Sequence, residues 1–316
     1  MAGHSGSKTT VITAVIGNLI IAIIKFIAAS ITGSSAMISE GIHSLVDTGN
    51  GGLLLHGMNR AKVPADEGHP FGHGKALYFW TLVVSISIFG IGGGMSLYEG
   101  VSHIRHVAPG AQLSDPTVNY IVLGIALLVE GWTFSVALRE FIRAKGSKGP
   151  WEYIRSAKDP STYTVLLEDS AAMAGLVFAF LGVFLGHMLG NPYLDGAASI
   201  VIGAILMGVA FILAFETKGL LLGEGVDAAT LADMRARIMA DPAVSGVGDI
   251  LTMYMGPYDL LVNLGVDFAP GTTLDESHAA IQRIEADLVA TYPECARIYI
   301  EAESLKRRAQ DPGVPT

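Results

Sequence analysis

The chain has 316 residues, of which 51% are hydrophobic and 16% charged, and its mean hydropathy is +0.48. A soluble domain carries about 25% charged residues, so much of this chain meets something other than water. A formal charge of −9 excludes a broadly basic nucleic-acid binder, so no nucleic-acid partner is expected, and a single cysteine, Cys295, excludes a disulfide framework or a Cys-rich zinc module.

Six apolar stretches are long enough to cross a hydrocarbon core, which takes about 20 residues of helix. They run over 11–31, 35–56, 76–101, 117–138, 164–189 and 193–215. The polar start MAGHSGSKTT leads into a run of full spanning length, which reads as a membrane helix and not as a cleaved signal. With the N-terminus inside, the inner segments hold Lys8, Arg60, Lys62, Lys75, Arg139, Arg143, Lys145, Lys148, Arg155, Lys158 and Lys218, and the outer loops hold Arg105 alone. That asymmetry predicts an integral, multi-pass protein of the cell (inner) membrane with both termini cytoplasmic.

Beyond residue 219 the pattern becomes that of a soluble domain, acidic by 15 residues against 7 basic ones. Residues 227–240 read as a helix capped by Asp227, ILTMYMG and DLLVNLGVDF as two strands, 273–291 as a helix with a Thr273–Glu276 capping box, and ARIYIEA as a closing strand. The expected fold is an α-helical membrane protein: a six-helix domain over 1–218, a cytoplasmic αββαβ two-layer domain over 219–304, and a disordered tail over 305–316.

Ionisable groups inside spans are costly and normally face the protein interior or a water-filled path. The second span carries Glu40, His43 and Asp47. His43 and Asp47 are four apart, so they share a helix face, where one imidazole and one carboxylate can hold a single divalent ion. The fifth span supplies Glu168 and Asp169. Nitrogen and oxygens from two packed helices would suit Zn²⁺, Co²⁺, Fe²⁺ or Mn²⁺; a buried His–Asp bond that only ties helices together is the alternative. Ahead of the third span, Asp66, His69 and His73 can converge if the glycine-rich loop DEGHPFGHGK folds back on itself, or the histidines serve only as interfacial residues at a helix start.

HSLVD at 43–47, HPFGHGK at 69–75, six spans and the αββαβ domain together resemble the cation diffusion facilitator family of metal/proton antiporters, most closely the branch containing zinc transporter nine. The resemblance covers nearly the whole chain. It implies a tetrahedral transport site between the second and fifth spans, a second metal site at Asp66, His69 and His73 on the cytosolic side, and a homodimer held by the C-terminal domain. Matched residue by residue, His43, Asp47 and Asp169 take ligand positions, while Val165 stands where the family has histidine. Glu168 is the substitute fourth ligand; in an alternative register Glu168 is the ligand and Asp169 supports it. The two are about 100° apart on the helix. Asp195, Glu40 and Glu130 are read either as proton or gating residues or as packing residues. The domain from 219 onward holds only His278 among histidines, which implies dimerisation without a full binuclear site there.

The implied function is efflux of a divalent cation, Zn²⁺ in first place with Mn²⁺, Fe²⁺, Co²⁺ or Cd²⁺ as alternatives, with protons as counter-ion and alternating access as the mechanism. The implied partners are metal ions, the lipid bilayer and a second copy of the chain. An intramembrane metalloprotease would need HExxH, which HSLVD lacks. A transport-inactive membrane metal sensor or scaffold is the alternative that Val165 and the histidine-poor tail leave open.

Overall fold

The structure is a computed structural model that describes residues 3–107 and 115–302. The expected disordered tail at 305–316 lies outside the described residues. The chain divides into two compact units: residues up to Arg60 with Ala76–Lys218, and Ala61–Lys75 with the segment from Gly219 onward. The loop carrying Asp66, His69 and His73 therefore groups with the C-terminal segment.

The first unit is helical. Helix α1 (Gly3–Thr32) ends where Gly33 adopts φ +69° and its N–H closes on the Ala29 carbonyl at 2.8 Å, a left-handed cap that glycine takes without steric cost. The chain then turns into α2 (Ser35–Arg60). Next come α3 (Ala76–Ser87) and α4 (Gly94–His106), joined by one π-helical turn over Ile88–Gly93, then α5 (Thr117–Lys145), a short α6 (Pro150–Ser156), α7 (Ser161–Leu189) and α8 (Tyr193–Leu222). Among the described residues, five helical segments are long and apolar enough to cross a membrane. Helix α2 has the length, about 39 Å at 1.5 Å per residue, but its run of Glu40, His43, Asp47 and Asn50 makes it the polar member of the set.

Small residues bring α4 and the π-helical turn before it into backbone contact with α8. A Cβ at Gly100 would sit 2.6 Å from the Gly196 carbonyl oxygen, and one at Gly203 would sit 2.8 Å from that of Gly93. Such close approach is how helices gain packing energy where lipid supplies no hydrophobic drive. Leucines and phenylalanines such as Leu128, Phe180, Phe211 and Phe215 are exposed on the outer faces, while Tyr78, Tyr163, Leu206 and Leu213 are fully buried. That inside-out apolar surface is what contact with lipid requires.

In the second unit, α9 (Ala228–Met239), β1 (Val244–Gly256), β2 (Asp259–Phe268), α10 (Leu274–Thr291) and β3 (Cys295–Ala302) follow in αββαβ order. The sheet order is β1-β2-β3, with β1 antiparallel and β3 parallel to β2. Alternate residues of β2, Leu260, Val262, Leu264 and Val266, are buried with Met234 and Ile238 of α9 and Ile284 and Leu288 of α10, the two-residue period of a strand with helices on one face. Asp227 caps α9 through the Thr230 N–H at 2.8 Å, and Thr273 with Glu276 forms the capping box of α10.

Candidate functional site

Helix α2 places its polar residues on one buried stripe. His43 is 2% exposed and Asp47 7%, with His43 Nε2 standing 3.4 Å from Asp47 Oδ2. One turn further along, Asn50 donates from Nδ2 to Glu168 Oε1 of α7 at 3.1 Å. Glu168 and Asp169 are both buried, and Asp47 lies within electrostatic range of both. His43 Nε2, Asp47 Oδ1, Asn50 Oδ1 and Asp169 Oδ2 are buried with no hydrogen-bond partner among the described residues. Buried polar atoms left unsatisfied cost free energy, and here several occur together around one stretch of α2 facing α7. A divalent cation entering this region would satisfy them with one nitrogen and several oxygens.

Glu168 and Asp169 differ in their hydrogen bonds: Asp169 Oδ2 has no partner among the described residues. Glu168 is the one that reaches the α2 stripe, through Asn50. Val165, partly buried, packs against the apolar core of the helical unit.

A second buried polar group lies beside the stripe. Lys25 of α1 is fully buried and bridges Glu40 of α2 and Glu130 of α5, each at 2.8 Å, with Ser44 Oγ at 3.1 Å. Glu40 Oε1 faces Gly175 of α7 so closely that any Cβ there would collide with it. Glu40 and Glu130 are thus the two carboxylates of a three-helix ion network, and Lys25 is the member that sequence reasoning missed. The signal was a lone lysine within the first apolar run.

Asp195 sits elsewhere. From α8 it accepts the Ser35 N–H at 2.6 Å, the Ala36 N–H at 3.3 Å and the Ser34 hydroxyl at 2.8 Å. It caps the first turn of α2, where free N–H groups and the helix dipole favour a carboxylate.

The loop trio is tightly assembled. One ligand atom from each of Asp66, His69 and His73 lies within 4.8 Å of the others, and this is the one such group of three or more found among the described residues. Asp66 Oδ1 accepts the His69 backbone N–H at 2.7 Å, and Asp66 Oδ2 stands 3.5 Å from His73 Nε2. His73 Nδ1 contacts the Pro64 carbonyl at 3.3 Å, which leaves Nε2 turned to Asp66, the orientation a ligating imidazole needs. The His69 N–H and then the nearby imidazoles hold the Asp66 carboxyl below its ordinary range. Gly72, at φ +82°, makes the turn, and Gly74 approaches Met255 and Gly256 so closely that a Cβ would strike the Met255 carbonyl. His278 and Glu301 of the C-terminal segment do not belong to the trio.

The family signature of the cation efflux transmembrane domain matches residues 11–222. The chain belongs to the cation efflux family, the cation diffusion facilitators that its motifs resemble. Within it, the chain is 32% identical over 286 residues to the mitochondrial proton-coupled zinc antiporter SLC30A9 of Xenopus laevis, covering 90% of this chain and 50% of that protein. It is 28% identical over 264 residues to metal tolerance protein C4 of Arabidopsis thaliana, covering 83% and 57%. Magnetosome protein MamM of Paramagnetospirillum magneticum is 26% identical over 305 residues, covering 95% and 88%. The chain spans about half the length of the SLC30A9 proteins it matches.

Proposed function

We propose that this cation efflux protein exchanges a divalent metal ion, Zn²⁺ in first place, for protons across a membrane. The observation that carries the reading is the cluster of unsatisfied buried ligand atoms on the α2 stripe and on α7, inside a helical unit built for lipid. The name of the SLC30A9 relatives, proton-coupled zinc antiporter, supports metal and counter-ion alike.

His43 and Asp47 supply the α2 ligands, and Glu168 and Asp169 the α7 side of the site. Metal binding requires neutral imidazole and ionised carboxylate, so loading displaces protons and returning protons help unload the ion. Two exposures of one site with different affinities then give directed transport. Asp66, His69 and His73 form a second metal site. The protein works as a homodimer through its αββαβ domain, and α2 counts as the sixth span despite its polarity. The basic inner segments favour a cell membrane with cytoplasmic termini.

A metal sensor without transport is the second reading. It is favoured by one observation: the loop trio is assembled within 4.8 Å, and the helical unit holds no equally tight group of three among its described residues. Uptake of radioactive zinc into vesicles holding the purified protein separates the two. Uptake above empty vesicles supports transport; binding without uptake supports the sensor.

A further inference from the structure

Among the buried polar side chains that the ligand set above leaves out, Asn50 lies nearest in α2 to Asp47 and bonds to α7 close to the position where a histidine is absent. Helices α2 and α7 run antiparallel, with Glu40 against Gly175. Ten residues further along α2 is Asn50, and ten residues back along α7 is Val165. Both steps are about 15 Å at 1.5 Å per residue, and Asn50 bonds to Glu168, so Asn50 and Val165 stand within about one helical turn of the same level. Asn50 also lies on the ligand face: seven residues after His43, it is rotated by only about 20° from it.

The side chain itself is 1% exposed. Its Nδ2 is used, donating to Glu168 Oε1 at 3.1 Å, while its Oδ1 is buried and has no partner among the described residues. A buried amide carbonyl normally finds a donor. This one is left with lone pairs free beside a carboxylate and one turn from Asp47.

From this we infer that Asn50 is part of the transport site: its Oδ1 is the donor that replaces the missing α7 histidine, and its Nδ2 turns Glu168 towards the ion. The inference rests on the transport-site reading above. The resulting set is His43 nitrogen with oxygens from Asp47, Asn50 and the α7 carboxylates, one neutral oxygen in place of a second imidazole. Carbonyl and carboxylate oxygens suit Mn²⁺ better than imidazole does, so the exchange widens the range of ions accepted beyond Zn²⁺.

The test is metal binding by full-length protein in detergent, with His69→Ala and His73→Ala removing the loop trio, and with zinc and manganese as the probes. On that background Asn50→Leu, which keeps the branching and heavy-atom count of asparagine, is expected to lower the affinity for both ions at least about tenfold, roughly 1.4 kcal/mol. Adding Val165→His to Asn50→Leu should restore zinc and leave manganese weak. A purely structural Asn50 would not be rescued from the opposite helix by an imidazole. Binding of both ions at the background level by Asn50→Leu, or failure of Val165→His to restore zinc, overturns the proposal.

His43→Ala on the same background reports on the underlying reading. If it leaves zinc binding intact, the transport site is misplaced; if it removes binding while Asn50→Leu does not, only the role of Asn50 falls. Where Asn50→Leu gives no monodisperse protein, Asn50→Ala takes its place. Weaker binding of both ions, with zinc restored by Val165→His, supports the proposal, and binding of both ions at the background level contradicts it.

Discussion

Replacing Lys25 by methionine keeps an unbranched side chain one atom shorter but leaves Glu40 and Glu130 as buried carboxylates with no cation between them. Breaking a buried ion pair from one side costs about 3–5 kcal/mol. Lys25→Met should therefore lower the thermal unfolding midpoint in detergent sharply, and Lys25→Arg should recover most of the loss; an unchanged midpoint for Lys25→Met would remove the network from the account. The loop trio makes a prediction of opposite kind. Asp66 is held below its ordinary value in the folded protein, so its charge is present above the usual carboxylate titration near pH 3.9 and is lost only as pH falls through the lowered value. A carboxyl NMR titration should find the Asp66 midpoint below about 3.9.

Residue by residue, legibility followed sequence distance. His43 with Asp47, and Asp66 with His69 and His73, are close in the chain, so helical periodicity and one loop sufficed to bring them together. Lys25 finds its carboxylates 15 and 105 residues away, and a single lysine inside an apolar run leaves no local pattern. That Asn50 bonds to Glu168 and not to Asp169 likewise needed a helix packed against them, because either could turn inward by local geometry alone.

At the scale of elements, α2 concentrates the demands. Its first turn is closed by Asp195 of α8, its middle is tied to α1 by Lys25, and its second half meets α7 through Asn50. Asp195→Ala removes a charged acceptor from the end of a buried helix and should cost about 2 kcal/mol, read as a lower unfolding midpoint. Gly175→Ala drives a methyl into Glu40, which Lys25 holds in place. Overpacking of this sort costs about 1–3 kcal/mol, and relief by pairing Gly175→Ala with Glu40→Asp would confirm the contact. The elements of the C-terminal segment followed their sequence signals closely, since caps and strand alternation are local. The limits of β1 did not: it begins at Val244, six residues before the apolar run ILTMYMG, because pairing with β2 extends the strand past its apolar part.

For the whole molecule, composition already separated an apolar portion from an acidic one, and the structure divides into a helical unit and an α/β unit. The assignment of the 61–75 loop to the α/β unit was not visible in sequence, because it depends on the close approach of Gly74 to Gly256. The central claim is that ions cross through the buried stripe of α2 and α7. It is tested most directly by zinc-driven proton movement in proteoliposomes carrying a pH-sensitive dye inside. A zinc gradient should drive protons in the opposite direction with the unaltered protein, and His43→Ala with Asp47→Ala should reduce the signal to that of empty liposomes. Proton movement undiminished in the double variant would contradict the account.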